Sequence, residues 1–353
     1  MNSFYYHDCD REYYSRPRRT SGNIKGLELE ISDDEAYNIL ERLISENKII
    51  DRDNTEMIGQ ENYTIFIEND STVYKELIFK ASCNRTLLEG VKMLSENLHG
   101  RIYNHEQTSC HIHINNEYLY ANNIPRTEIM RATEFLLPIL SDISGRNHDF
   151  EWCKPIVPIS GTQKLFDRCS RIDEIYSSDY DCDHEDRYFS VNVTGDATTE
   201  IRIFSNYYNF DYNYIKMYIE TVDFIMELAK EMKGKLYRTN YEKALMLTKN
   251  HFQKRKYKEI YEKHGLEKYF LSPEEQIKFY YNEILRKFNM KAEWFDDNCM
   301  SFDESDFLIN FMRIIRDYHK EEFGEIKFSL NNFNYEQVFS ELKNQIEEYI
   351  SSL

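Results

Sequence analysis

Four short segments of the chain place metal-binding side chains on what the pattern predicts are β-strands. They are Gly26-Leu27-Glu28-Leu29-Glu30, Lys75-Glu76-Leu77, Cys110-His111-Ile112-His113-Ile114 and Thr199-Glu200-Ile201-Arg202. In three of them two polar side chains stand two residues apart, with an apolar residue between. Successive side chains on a strand point to opposite faces, so this spacing aims both polar groups at one face. The aliphatic residues then line the other. Carboxylates gathered on a buried face stay ionised only where cations or hydrogen bonds compensate them. The pattern therefore asks for divalent metal and phosphate on an open sheet face.

The remaining periodicities organise the chain around these strands. A strand is predicted at about 24–31, then a helix from Ser32 with Glu35 completing a capping box, its Ala36, Ile39, Leu40, Leu43 and Ile44 at helical spacing. Two extended runs, 63–68 and 72–80, flank Asn69-Asp70-Ser71 and read as a hairpin. A helix from Asn84 carries Leu87, Val91, Leu94 and Leu98 on one face, with Gly100 at its C′ position. After the His111 strand a helix runs from Pro125 to about Leu140, and 141–187 reads as irregular and polar. Strands at 188–194 and 198–205 flank Gly195-Asp196, and a helix at roughly 211–233 follows. Amphipathic helical stretches dominate from 234 onward. The expected organisation is a polar tail over 1–22, a catalytic domain over 23–233 and a helical region over 234–353. Hairpins and helices without a βαβ rhythm point to an α+β fold with a largely antiparallel sheet.

Composition narrows the function classes. The chain has 353 residues, 41% of them apolar, and a net charge of −18. That acidity disfavours duplex nucleic acid as a partner, since such binding depends on Lys and Arg neutralising phosphates. It leaves room for a nucleotide, which a few local cations and metal can hold. Seven cysteines at irregular spacing, with no C-x-x-C, fit reduced thiols and a cytoplasmic setting. No apolar run approaches membrane-spanning length.

Two metal motifs fail on inspection. His111, His113 and Glu117 imitate the first half of a cupin motif, but position 105 is His and no second motif follows. Asp179, Asp181 and Asp183 copy the start of an EF-hand loop, yet His184 replaces the required Gly and Ser190 the closing Glu.

The order of the remaining segments is more telling. Gly-x-Glu-x-Glu, a hairpin Glu, His-x-His, Ser144-Gly145-Arg146, then Asn192 and Glu-x-Arg together resemble the amidoligase family. The resemblance covers roughly residues 24–230. That family belongs to the carboxylate–amine ligases, so the resemblance implies a glutamine synthetase-like fold: a curved, largely antiparallel sheet with helices on one side. It implies an enzyme that joins a carboxylate to an amine at the expense of ATP, with two Mg²⁺ or Mn²⁺ ions. Glu28, His111 and Glu200 resemble the ligands of the ion beside the nucleotide phosphates, and Glu30 and Glu76 those of the ion near the acyl substrate. Arg202 would contact the transferred phosphoryl group, Arg146 would anchor phosphate or a substrate carboxylate, His113 would touch phosphate and Asn192 would position substrate. A further carboxylate for the second ion has two candidates, Glu68 and Asp70. The acid and amine partners are open among small molecules, peptides and protein tails. A phosphotransferase on the same sheet, or a non-catalytic binding module, are the alternative readings.

Overall fold

In a computed structural model the chain is described over residues 25–31, 34–51, 63–68, 75–81, 83–98, 108–146, 153–157, 165–177, 189–195, 197–205, 211–271 and 275. The elements in chain order are β1 (Lys25–Ile31), α1 (Asp34–Ser45), β2 (Ile50–Asp51), β3 (Tyr63–Glu68), β4 (Lys75–Ala81), α2 (Asn84–Leu98), β5 (Cys110–Asn115), α3 (Asn116–Ala121), α4 (Arg126–Ser144), α5 (Leu165–Ser177), β6 (Val191–Asn192), β7 (Thr198–Ile201), α6 (Tyr212–Met232), α7 (Tyr241–Phe252) and α8 (Lys258–Lys263). The fold is α+β. Among the described residues, those from Lys25 to Val157 and from Leu165 to His264 belong to one compact unit, which therefore takes in α7 and α8. The second unit's described part, from Gly265, holds a short 3-10 turn over Leu266–Tyr269.

Among the described residues seven strands form one sheet in the order β2-β3-β4-β1-β5-β7-β6. All neighbours are antiparallel except β2 and β3. Register sorts the side chains into two faces. Leu27 lies between Phe79 and Ile112, and Leu29 between Leu77 and Cys110. Ile65 and Ile67 extend this apolar face on β3, and Ile201 and Val191 extend it on β7 and β6. Helix α2 packs on β1, β3 and β4 through Leu87, Val91, Leu94 and Leu98. Gly90 permits the approach: a Cβ there would meet the Tyr63 ring at 3.0 Å. Helix α6 lies over the same face, where its Ile219 carbonyl and Asp223 carboxylate receive the ammonium of buried Lys25. Burial pushes that ammonium's pKa down, against the pull of Asp223.

Helices α5 and α4 depart from the expected layout. Helix α5 occupies part of 141–187, which was expected to be irregular. Among its described side chains the buried apolar ones are Leu165, Cys169 and Ile172, diluted among charged residues. Helix α4 runs past Leu140 to Ser144, and Gly145 ends it at φ 73°. Pro138 sits inside this helix. Proline has no N–H, so the carbonyl four residues back loses its helical donor. That carbonyl belongs to Glu134, and Arg168 of α5 supplies the missing donor through Nε at 3.0 Å. The Glu134 carboxylate in turn accepts from Arg168 Nη2, the amides of Ile156 and Val157, and Ser190 Oγ. Both side chains of the Glu134–Arg168 pair are fully buried, at 0% exposure.

Other expectations fall on the strands and helices as drawn: β1, β3, α2, β5 and α6 match their predicted spans closely. Strand β4 is described from Lys75, while β6 and β7 are shorter than 188–194 and 198–205. Residues 1–24, the Ser32 cap, Asn69-Asp70-Ser71, Gly100, Asp179–Asp183 and 276–353 lie outside the described residues. Cys83, Cys110, Cys153 and Cys169 are thiols. Among the described residues no helix is long and apolar enough to cross a membrane.

Two stability predictions follow from this packing. Arg168→Met strands a buried carboxylate and should cost about 3–5 kcal/mol in urea unfolding; a loss under about 1 kcal/mol would mean the other donors to Glu134 suffice. The second concerns His251, buried on α7 and stacked on Phe224 at 4.4 Å. Burial, with Lys254 and Lys256 adding to it, pushes the imidazole from 6.5 down to about 3. Between these values the unfolded chain binds the proton and the folded chain does not. Stability therefore falls as pH drops below about 6.5, by up to about 1.4 kcal/mol per pH unit from this group. His251→Leu should flatten the urea midpoint between pH 6.5 and 4, and an unchanged slope would clear His251 of the effect.

Candidate metal centre

The polar face of the sheet is built by the same register. Glu28 sits opposite His111, Glu30 opposite Glu76, and Glu200 between His113 and Asn192. Six of the expected site residues thus belong to four adjacent strands, and Asn192 to a fifth. The apolar side chains that alternate with them are pinned beneath the helices, which fixes the polar ones on the opposite face.

Side-chain geometry tightens the cluster. His111 Nδ1 is 2.9 Å from Glu28 Oε2 and 3.1 Å from Glu200 Oε1. His113 Nε2 stands 3.3 Å from Glu28 Oε2, and its Nδ1 meets Thr198 Oγ1 at 3.2 Å. Arg202 Nη1 donates to Glu200 Oε1 at 2.6 Å, and Asn192 Nδ2 to Glu200 Oε2 at 2.8 Å. Asn192 Oδ1 accepts from the Thr194 amide and hydroxyl, which orients its Nδ2 toward Glu200. Glu30 Oε2 accepts the Ser109 amide at 2.6 Å.

The electrostatics favour ionised carboxylates. Burial pushes the Glu28 carboxyl up, but the charge of His113 and the hydrogen bond to His111 outweigh it and hold it well below its ordinary value. Burial also pushes Glu200 up; the Arg202 guanidinium, then His111 and His113, bring it below its ordinary value. Arg202 is stabilised as a cation in turn, against its burial, by Glu200, Glu28 and Glu30. Charged carboxylates at neutral pH are the form a cation needs.

Two groups have ligand atoms close enough to share an ion. Glu28, His111 and Glu200 form one, Glu30, Glu76 and His111 the other, each with its atoms within 4.8 Å of one another. His111 Nε2 is buried without a hydrogen-bond partner, although Nδ1 is fully engaged. A buried unpartnered nitrogen is costly, and coordination would satisfy it. The donor set of four carboxylates and an imidazole suits Mg²⁺ or Mn²⁺, with the nitrogen favouring Mn²⁺. Either group could therefore hold a divalent ion, with His111 common to both. Glu68 is paired with Glu76 in the row that ends at Glu30, whereas Asp70 lies outside the described residues.

Arg146 stands apart from this cluster. Its side chain is buried, with Nη1 on Cys153 Sγ at 3.4 Å and Nη2 on the Thr108 carbonyl at 3.1 Å and on Ser109 Oγ. Its Nε is solvent-excluded and makes no hydrogen bond. Sequence reasoning missed Ser109, Thr198 and Cys153. The first two had a signal: each lies two residues before a site residue on its strand, and so on the same face. Cys153 had none.

Compared with known proteins, the chain matches no family model, no curated protein and no solved structure.

Opposed like charges destabilise a strand pair. Glu76→Gln should therefore raise the melting temperature of the metal-free protein by about 1–3 °C, while removing one of two Mn²⁺ ions taken up in a paramagnetic resonance titration. Unchanged uptake would remove Glu76 from the ligand set.

Proposed function

We propose that the protein is an ATP-dependent carboxylate–amine ligase with a glutamine synthetase-like sheet. The observation that carries the reading is the pairing of two ligand groups on one sheet face, Glu28–His111–Glu200 and Glu30–Glu76–His111. The sequence resemblance assigned Glu28, His111 and Glu200 to one ion and Glu30 and Glu76 to the other, and register sets Glu68 beside Glu76 as one candidate for the further carboxylate.

A carboxylate is a poor acyl donor until an oxygen carries a better leaving group. In the proposed reaction a carboxylate oxygen attacks the γ-phosphorus of ATP, the bond to the β-phosphate oxygen breaks, and ADP leaves. The amine nitrogen then attacks the acyl carbon, phosphate departs, and the nitrogen loses a proton to form the amide. Phosphoryl transfer spreads charge over the equatorial oxygens, and catalysis consists mainly of positioning and charge stabilisation. Two divalent ions would supply charge neutralisation at those oxygens. Arg202, held by Glu200, would stabilise the transferred group. Asn192 and Thr198 orient Glu200 and His113.

ATP-fed reactions with Mg²⁺ or Mn²⁺, a carboxylate and an amine should release ADP and phosphate. Glu28→Gln should lower turnover by at least about a hundredfold with the fold retained. Formation of AMP would overturn the mechanism. A stable phosphorylated acid or guanidine without amide would make the protein a phosphotransferase on the same residues.

A further inference from the structure

We propose that Arg146 is a positioning residue for the Glu30 ligand, acting through Ser109, and not a phosphate anchor. The inference rests on the two-ion reading above.

Register places Ser109 across from Glu30, one residue beyond the Leu29–Cys110 pair. Two hydrogen bonds join them. The Glu30 amide donates to the Ser109 carbonyl at 3.0 Å, and the Ser109 amide donates to Glu30 Oε2 at 2.6 Å. The second bond is the important one. It fixes one carboxylate oxygen and so sets the direction in which the other is offered to an ion. Such outer partners of a ligand are normally worth tenfold to a hundredfold in metal affinity.

The Thr108–Ser109 segment lies just before β5, where the ladder gives way to a single bridge between Ser109 and Ser205. Its position depends on what grips it. Ser205 Oγ donates to the Thr108 carbonyl at 3.1 Å from one side. Arg146 grips it from the other, with Nη2 on both the Thr108 carbonyl and Ser109 Oγ. Its Nη1 is taken up by Cys153. A planar guanidinium can hold three acceptors at fixed angles, which an ammonium cannot. Arg146 is itself held at the end of α4, where Gly145 adopts a left-handed conformation and the Arg146 amide returns to the Ser141 carbonyl at 3.2 Å. With both terminal nitrogens committed to protein and only 3% of the residue exposed, the guanidinium is a clamp on the strand that carries the Glu30 contact.

Charge and position make opposite predictions. Removing a cation near the site would tighten divalent-ion binding by Coulomb's law alone. Removing a clamp on Glu30 would weaken it, and at one ion only. The experiment is an Mn²⁺ titration of the nucleotide-free full chain, read by paramagnetic resonance, on the wild type, Arg146→Gln, Ser109→Ala and Ser109→Thr. Calorimetry with ATP accompanies it. Arg146→Gln and Ser109→Ala should weaken one of the two ions about tenfold to a hundredfold and leave the other within about twofold. Ser109→Thr, which keeps the hydroxyl, should bind like the wild type. Should Arg146→Gln misfold, the contrast between Ser109→Ala and Ser109→Thr decides alone. Two ions bound normally by every variant, with ATP affinity lost in Arg146→Gln, would restore the phosphate anchor and overturn the proposal. Equal weakening of both ions would also overturn it, as general loosening. A wild type that takes up no second ion would sink the two-ion reading itself, and the inference with it.

Discussion

Glu28 meets His111, and Glu30 meets Glu76, because β1 is locked between β4 and β5 with Leu27 and Leu29 facing Phe79, Leu77, Ile112 and Cys110. Shifting β1 by one residue would turn its aliphatic side chains toward the polar face and its carboxylates into the helices. The apolar face prevents that slip. Leu29, Leu77, Ile112 and Ile201 are fully buried, and α2 and α6 cover the face they form. Hydrophobic burial thus sets the geometry of charges it never touches. The crowding of carboxylates on the far side is tolerated because the strands carrying them cannot move apart.

The edge of the cluster is held in a different way. Strand β6 has only two residues, too few to define Arg202 and Asn192 by pairing alone. The Glu134–Arg168 pair provides the missing constraint. Glu134 holds Ser190 Oγ, the Ser190 amide reaches the Lys154 carbonyl, and the Ser190 carbonyl receives the Arg202 amide. A buried ion pair in the helical layer therefore fixes the backbone of a residue on the polar face. The pair costs desolvation, and its further hydrogen bonds, from the amides of Ile156 and Val157 and from Ser190 Oγ, offset that cost.

The alternation Glu28–Leu29–Glu30 and His111–Ile112–His113 was legible because strand period is local and independent of partners. That these strands would be neighbours, in the order that brings Glu200 beside His113, was not in any one segment; it emerges only in the folded sheet. Arg146 shows the limit. The tripeptide Ser144-Gly145-Arg146 marks a helix end, and nothing in it tells whether the guanidinium faces ligand or strand. Helix α5 was hidden for a physical reason. Its buried Leu165, Cys169 and Ile172 are supplemented by Arg168, a cation that sequence patterns assign to solvent and that here is wholly enclosed. Lys25 is the same case on β1, a charge on the packed face that only its distant partner Asp223 explains.

Pro138 has a further consequence. By withholding one amide it leaves a socket in the middle of α4, and Arg168 is the plug. The rotation of α5 about its own axis is thereby keyed at this point, and a second ion pair, Arg131 of α4 with Asp173 of α5 at 3.1 Å, keys it at another. These two buried polar contacts, one to the backbone of α4 and one to its side chain, then set how the helices mesh.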